Sequence, residues 1–206
     1  KFQIFKPENL VTKNTSKAPY ALKMTKSFKD QLTMQKKIMF NFEYFIKLKK
    51  YCKKKKIKFL CSAFDLESLH FLKKIGVSKF KIPSGEIDNI PYLKQIRNYK
   101  KEIILSTGMS NLVEIKNALK ILSKTISINK ISLLHCVSIY PTHERNINLN
   151  TIKFLKDKFK LNVGLSDHTT SLIVPALAVT NGATIIEKHF TLNKNWQGPD
   201  HAMSLN

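Results

Sequence analysis

The sequence predicts an α/β fold, a (β/α)8 TIM barrel that is incomplete, with the first strand and the last helix missing. Three observations carry that expectation. β-rich runs recur at intervals of roughly 20 to 30 residues, as in chains that alternate strands with helices. Amphipathic helical patterns with recognisable ends separate most of the runs, and stretches such as ISLL and TII are apolar without alternation, as strands buried on both faces are. With 206 residues, 43% hydrophobic and 24% charged, the composition is that of a folded globular domain, not of a disordered or fibrous chain. A full barrel needs eight strand–helix units and about 250 residues. Residues 1–206 are therefore expected to form a partial catalytic barrel, one strand and one helix short.

The first run is KFQIF from Lys1, followed by a polar stretch from Lys6 to about Phe40 that breaks the rhythm and reads as an insertion overhanging the catalytic face. A helix comes next, with Lys49, Lys50 and Lys53 to Lys56 late in it, where cations suit the negative end of the helix dipole. IKFLCSAF from Ile57 is the second strand. Asp65 can cap the following helix, whose Leu66, Leu69, Leu72 and Ile75 recur at helical spacing, and Gly76 can supply a left-handed stop. KFKIPSG from Lys79 and EIILSTG from Glu102 are the third and fourth strands. Asn111 and Glu114 then form a capping box ahead of Leu112, Ile115, Leu119 and Leu122. KISLLHCVS from Lys130 is the fifth strand, and Asn150 is expected to cap the helix that carries Ile152, Leu155 and Phe159. LNVGLSDH from Leu161, a helix with Pro175 near its start and Gly182 at its end, and ATIIEKHF from Ala183 complete the series. No G-x-G-x-x-G or P-loop pattern follows any of these strands, so an open dinucleotide or nucleotide fold loses its support.

The net charge of +22 comes from 36 Lys and Arg against 14 Asp and Glu, yet the only arginines are Arg97 and Arg145. Three explanations compete: a nucleic-acid footprint, an anionic small substrate, and a lysine-biased surface. Nucleic-acid binders lean on arginine forks interleaved with aromatics. Here lysines are spread along the whole chain, so no nucleic-acid partner is expected; a basic nucleic-acid-binding protein is the non-enzymatic alternative. The cysteines Cys52, Cys61 and Cys136 have no C-x-x-C spacing, which indicates neither a disulfide framework nor a zinc site and fits the cytoplasm. No apolar run approaches the ~18 residues of a membrane span, so no membrane partner is expected.

Polar groups gather at the strand ends, where a parallel barrel assembles its active site. They are Lys1 and Gln3; Ser62; Lys81, Ser84 and Glu86; Ser106 and Thr107; His135 and Ser138; Ser166, Asp167 and His168; and Glu187, Lys188 and His189. Lysine ammoniums and serine hydroxyls around one mouth, with Gly85 and Gly108 admitting close backbone approach, suit a phosphorylated anion. His168 and His189 end consecutive strands, so both imidazoles can face one pocket and share a divalent cation. With two protein nitrogens and no thiolate, a Mn- or Mg-like exchangeable ion is favoured over zinc. His70, His143 and His135 are read as surface or structural residues.

The segments KFQIFK, FDLESLHFLKKIGVSKFKIPSGE, ILSTGM, LLHCVSIYP, GLSDHT, IIEKHFT and GPDHAMSL together resemble the sialic acid synthase family. The resemblance implies a metal-dependent barrel that condenses phosphoenolpyruvate with an N-acylated mannosamine-type sugar. The products are a nine-carbon 2-keto sugar acid and phosphate. Carried over by motif, phosphoenolpyruvate would be held by Lys1, Ser62, Lys81, Ser84, Ser106, Ser138 and Ser166. His168 and His189 would be the metal ligands and catalytic residues, with Glu86 as a third catalytic group. Glu86, Tyr140 and Asp200 would contact the sugar. The resemblance also implies a preceding strand and a C-terminal antifreeze-like domain, neither of which is expected within residues 1–206, and a homodimer when full length. Another phosphoenolpyruvate-condensing aldose synthase is the nearest enzymatic alternative.

Overall fold

All seven runs form strands. The computed structural model describes residues 1–22 and 25–206, apart from the side chain of Tyr20. The strands are β1 (Phe2–Ile4), β2 (Cys61–Ala63), β3 (Lys79–Ile82), β4 (Glu102–Ser106), β5 (Ile131–Cys136), β6 (Asn162–Asp167) and β7 (Ile186–Lys188). Among the described residues they make one seven-stranded sheet in the order β1-β2-β3-β4-β5-β6-β7, with every neighbouring pair parallel. The sheet curls until its two outermost strands face each other, because Lys1 Nζ beside β1 lies 2.8 Å from Glu187 Oε2 in β7. No backbone ladder joins β7 to β1 among the described residues.

Strand alternation divides the side chains into two populations. Phe80 and Ile82, Ile103 and Leu105, and Val163 and Leu165 are buried in the hydrophobic core with Leu69, Leu72 and Leu93 from the helices. Each such aliphatic side chain contributes about 1.5–3 kcal/mol when fully withdrawn from water. Residues of the opposite parity, Lys81, Ser106 and Ser166, turn to the inside of the curl and line a cavity there. One register thus supplies both the core and the site.

The helices are α1 (Pro7–Leu10), α2 (Pro19–Leu22), α3 (Gln31–Ile38), α4 (Phe42–Lys54), α5 (Leu66–Lys74), α6 (Ile90–Arg97), α7 (Leu112–Leu122), α8 (Asn150–Phe159) and α9 (Ile173–Thr180). Most ends follow the local signals. Asp65 Oδ1 accepts from the Ser68 N–H at 2.8 Å at the start of α5, and Gly76 past its end has φ +73. Asn111 accepts from the Val113 and Glu114 N–H groups while Glu114 accepts from the Asn111 N–H, the full capping box expected for α7. Part of the lysine cluster is a cap as well, since Lys49 Nζ donates to the Ile75 and Gly76 carbonyls at the end of α5.

Two expectations need correcting. Asn150 is the first residue of α8, and Leu149 holds the cap position with no side-chain bond. A tight turn through Asn148, at φ +43, brings the Asn148 and Leu149 carbonyls within 3.0 Å of the Thr151 and Ile152 N–H groups, which therefore need no side-chain cap. The Lys6–Phe40 stretch is not a plain loop but contains α1, α2 and α3, with Asp30 accepting from the Thr33 N–H at 2.7 Å at the start of α3. Lys17 Nζ ties it from within, donating to the Thr25 and Phe28 carbonyls at 2.5 and 2.6 Å.

Candidate functional site

Inside the curl lies a cavity of about 540 Å³ whose floor is built from the inward residues of neighbouring strands. Its centre is Lys81, 2% exposed, whose ammonium donates to Ser106 Oγ at 2.7 Å and to the Ile82 carbonyl at 3.0 Å. Glu187 Oε1 stands 3.8 Å from Lys81 Nζ and accepts from Ser166 Oγ at 2.9 Å; its other oxygen pairs with Lys1. Burial disfavours the ammonium and draws the Lys81 pKa down to about 8, against the opposing pull of Glu187. Burial would by itself raise the Glu187 pKa, but Lys81 and Lys1 hold it at about 2. Two ammoniums against one carboxylate leave the floor short of negative charge, which a bound anion would supply.

Hydroxyls complete the floor. Ser62 Oγ is buried without a hydrogen-bond partner among the described residues, and a buried hydroxyl in that condition costs about 1–3 kcal/mol. It lines the same cavity. Gly108 donates its N–H to Ser84 Oγ at 2.9 Å. A Cβ at Gly108 would lie 2.4 Å from Ser138 Oγ, 2.9 Å from Ser84 Oγ and 3.1 Å from Cys136 Sγ, so the backbone here closes on three polar side chains at once. Gly108→Ala is accordingly expected to displace those side chains and weaken binding of a phosphorylated anion by about tenfold, the loss of one or two net hydrogen bonds. Calorimetric titration checks this, and unchanged affinity would remove Ser84 and Ser138 from the cradle.

His168 and His189 line the same cavity. Their ring centroids are 5.7 Å apart, with Tyr140 4.2 Å from His168 and 6.4 Å from His189. His168 Nδ1 is 2.8 Å from the Val137 carbonyl, which can only accept, so the proton sits on Nδ1 and Nε2 keeps its lone pair. His189 Nδ1 lies 3.7 Å from Asp200 Oδ2, and burial lowers its pKa toward the neutral form a metal ligand requires. This donor set, each ring oriented through its other nitrogen, fits a divalent cation. Among the described residues no group of three or more His, Cys, Asp or Glu side chains could hold one.

Of the site residues predicted from sequence, Lys1, Ser62, Lys81, Ser84, Ser106, Ser138, Tyr140, Ser166, His168 and His189 all line this one cavity. Lys1 precedes β1 instead of following it, and reaches the cavity only because the curl brings it to Glu187. Glu86 and Asp200 do not line it. Glu86 is half-buried beside Gly85 on the rim, its carboxylate accepting from Asn89 Nδ2 at 2.6 Å, and burial raises its pKa. Asp200 borders the adjoining cavity with Lys1, Glu187 and His189. The residue missed is Glu187, noted as a strand-end group but given no role. His135 is structural, paired through Nε2 with the Ile147 carbonyl. The overhanging insertion adds Ala18 and Pro19 to an apolar rim with Phe64, Met109 and Ile139.

Comparison with known proteins matches the whole chain, residues 1–206, to a family described as the NeuB family. An N,N'-diacetyllegionaminic acid synthase of Campylobacter jejuni is 48% identical over 206 residues, covering 100% of this chain and 62% of that protein. Its counterpart in Legionella pneumophila is 41% identical over 209 residues, covering 100% and 58%. The solved N-acetylneuraminic acid (sialic acid) synthetase of Leptospira borgpetersenii, in complex with citrate, superimposes with a TM-score of 0.88 at 36% identity, over 100% of this chain and 66% of that one. The chain spans about three fifths of the length of the two curated synthases. Among the described residues no helix is long and apolar enough to cross a membrane.

Proposed function

Because the chain belongs to the NeuB family, we propose that it provides the catalytic barrel of a synthase that condenses phosphoenolpyruvate with an N-acylated mannosamine-type sugar. The products would be a nonulosonic acid and phosphate. The observation that supports this most directly is the floor: a buried ammonium, a second ammonium and converging hydroxyls, one of them without a partner, in a cavity of small-metabolite size.

In this reading Lys81 and Lys1 neutralise the anionic substrate while Ser62, Ser84, Ser106, Ser138 and Ser166 fix its orientation. Donors already in place need no reorganisation as charge shifts from the enol toward the departing phosphate. Withdrawal from bulk water strengthens each contact and limits hydrolysis of the substrate. Tyr140, packed on His168, confines the acceptor end. Glu86, a rim carboxyl whose affinity for a proton is raised by burial, is the candidate for proton handling and sugar orientation, with Asp200 beside His189 as a further sugar contact. His168 and His189 would hold a Mn- or Mg-type cation, which when bound supplies Lewis-acid polarisation of the acceptor carbonyl. A complete eight-stranded barrel, a homodimer and a cytoplasmic location belong to the same reading of the intact protein.

The test is to incubate purified protein with phosphoenolpyruvate, Mn ion and a panel of N-acylated mannosamine sugars. The panel begins with a diacetamido acceptor, in keeping with the products named for the two synthases above. Phosphate release that needs both substrates and yields a periodate-sensitive 2-keto acid is the expected result. Release with no acceptor of the panel, in protein that binds phosphoenolpyruvate, would eliminate this acceptor class.

A further inference from the structure

The tails of β6 and β7 are joined by a charge pair whose members do not line the cavity of about 540 Å³. The cross-strand ladder ends with Asp167 opposite Lys188, one residue before His168 and one before His189. Alternation sends Ser166 and Glu187 into the cavity, and the next residue of each strand away from it. Side-chain exposure is 6% for Lys188 and 0% for Asp167. Lys188 Nζ donates to Asp167 Oδ2 and, at 2.8 Å, to the Thr169 carbonyl. Asp167 Oδ1 accepts from the Thr169 N–H at 2.8 Å. The carboxylate therefore straddles His168, gripping the chain on both sides of it, and one ammonium carries that grip across to the residue before His189.

We infer that Asp167 and Lys188 are positioning residues, a strut that sets the distance between the His168 and His189 imidazoles. The inference rests on the reading of the two histidines as cation ligands. β7 is short, only Ile186–Lys188, and stands at the edge of the sheet, so its own ladder restrains little beyond its last residue. The β6 side is fixed independently, by the Val137 carbonyl on His168 Nδ1 and by the Thr142 N–H on the His168 carbonyl at 2.9 Å. On the β7 side the backbone bond from Leu205 N–H to the His189 carbonyl, 2.8 Å, and Asp200 Oδ2, 3.7 Å from His189 Nδ1, are further restraints. A buried pair is strong only in good geometry, so it transmits position as well as attraction.

The decisive variant is the double Asp167→Asn/Lys188→Met, which removes both charges and leaves no ion uncompensated in the interior. Three readouts separate positioning from plain stability: Mn ion affinity by calorimetry, phosphoenolpyruvate affinity, and the nuclear Overhauser contact between the two imidazoles in metal-free protein. The double variant is expected to stay folded and keep phosphoenolpyruvate affinity within about twofold. It should lose about ten- to a hundred-fold in Mn affinity, the usual effect of removing a group that orients a ligand, and lose the ring contact. A folded double variant with wild-type Mn affinity and an intact ring contact overturns the strut. Should the double variant not fold, Lys188→Arg, which keeps the charge but changes its reach, reads the same losses in smaller measure, and their absence overturns the strut. Wild-type protein that takes up no Mn ion overturns the cation reading instead, and the ring contact then decides the strut alone.

Discussion

Lys81→Met is expected to weaken phosphoenolpyruvate binding about 100-fold, equivalent to roughly 2.7 kcal/mol, while the sheet and its core persist. Met fills the same channel through β3, so no cavity opens, and Glu187 keeps its partner Lys1 at 2.8 Å. The loss falls on the ligand because the Lys81 ammonium is buried in the floor, at 2% exposure, whereas the Lys1 side chain is 23% exposed. The pH dependence has a definite sign. The folded-state pKa of Lys81, about 8, lies below its ordinary 10.5, so the buried ammonium costs stability at neutral pH. Between about pH 8 and 10.5 the unfolded chain binds more protons than the folded one, and the wild type gains stability relative to Lys81→Met as pH rises through that window. Affinity moves the opposite way: above about pH 8 the wild type loses its cation and its phosphoenolpyruvate affinity falls, while that of Lys81→Met stays level. Equal affinity of the two proteins at pH 7 would remove Lys81 from the anion site.

The second large effect belongs to His189→Ala, for which turnover in the presence of Mn ion should fall by about a thousandfold or more while phosphoenolpyruvate still binds. The imidazole is half-buried near Tyr140 and Asp200, and among the described residues no hydrogen bond joins it to Lys81, Ser106 or Ser166, so its removal leaves their contacts in place. Calorimetry with phosphoenolpyruvate and, separately, with Mn ion distinguishes the two sites. Retained turnover would rule out a cation on His168 and His189.

The elements were readable wherever one short segment decides the outcome. Asp65 with Ser68, Asn111 with Glu114, and Gly76 at φ +73 all do in the structure what their local spacing implies. Asn150 misled because the carbonyls of the preceding turn satisfy the first N–H groups of α8, which depends on the conformation of Asn148. The helices inside the Lys6–Phe40 stretch are too short to show a periodic face, and their order rests on contacts such as Lys17 to Thr25 and Phe28. At the site, ten of the residues given a role at strand ends or by motif line one cavity, while Glu86 and Asp200 do not. The importance of Glu187 was hidden, because its partners Lys1 and Lys81 come from distant strands and meet it only when the sheet curls. Lys1 illustrates the same limit: grouped with the strand-end polar residues, it lies just before β1 and meets Glu187 only through the curl.

Ser62 Oγ and Lys81 Nζ leave the floor unsatisfied on its own, one hydroxyl sealed off without a partner among the described residues and one cation withdrawn from solvent. Folding and recognition draw on the same groups, so an anion of the right shape should stiffen the whole protein against heat in proportion to how well it fits. Melting curves can therefore rank ligands for this chain before any assay of turnover exists.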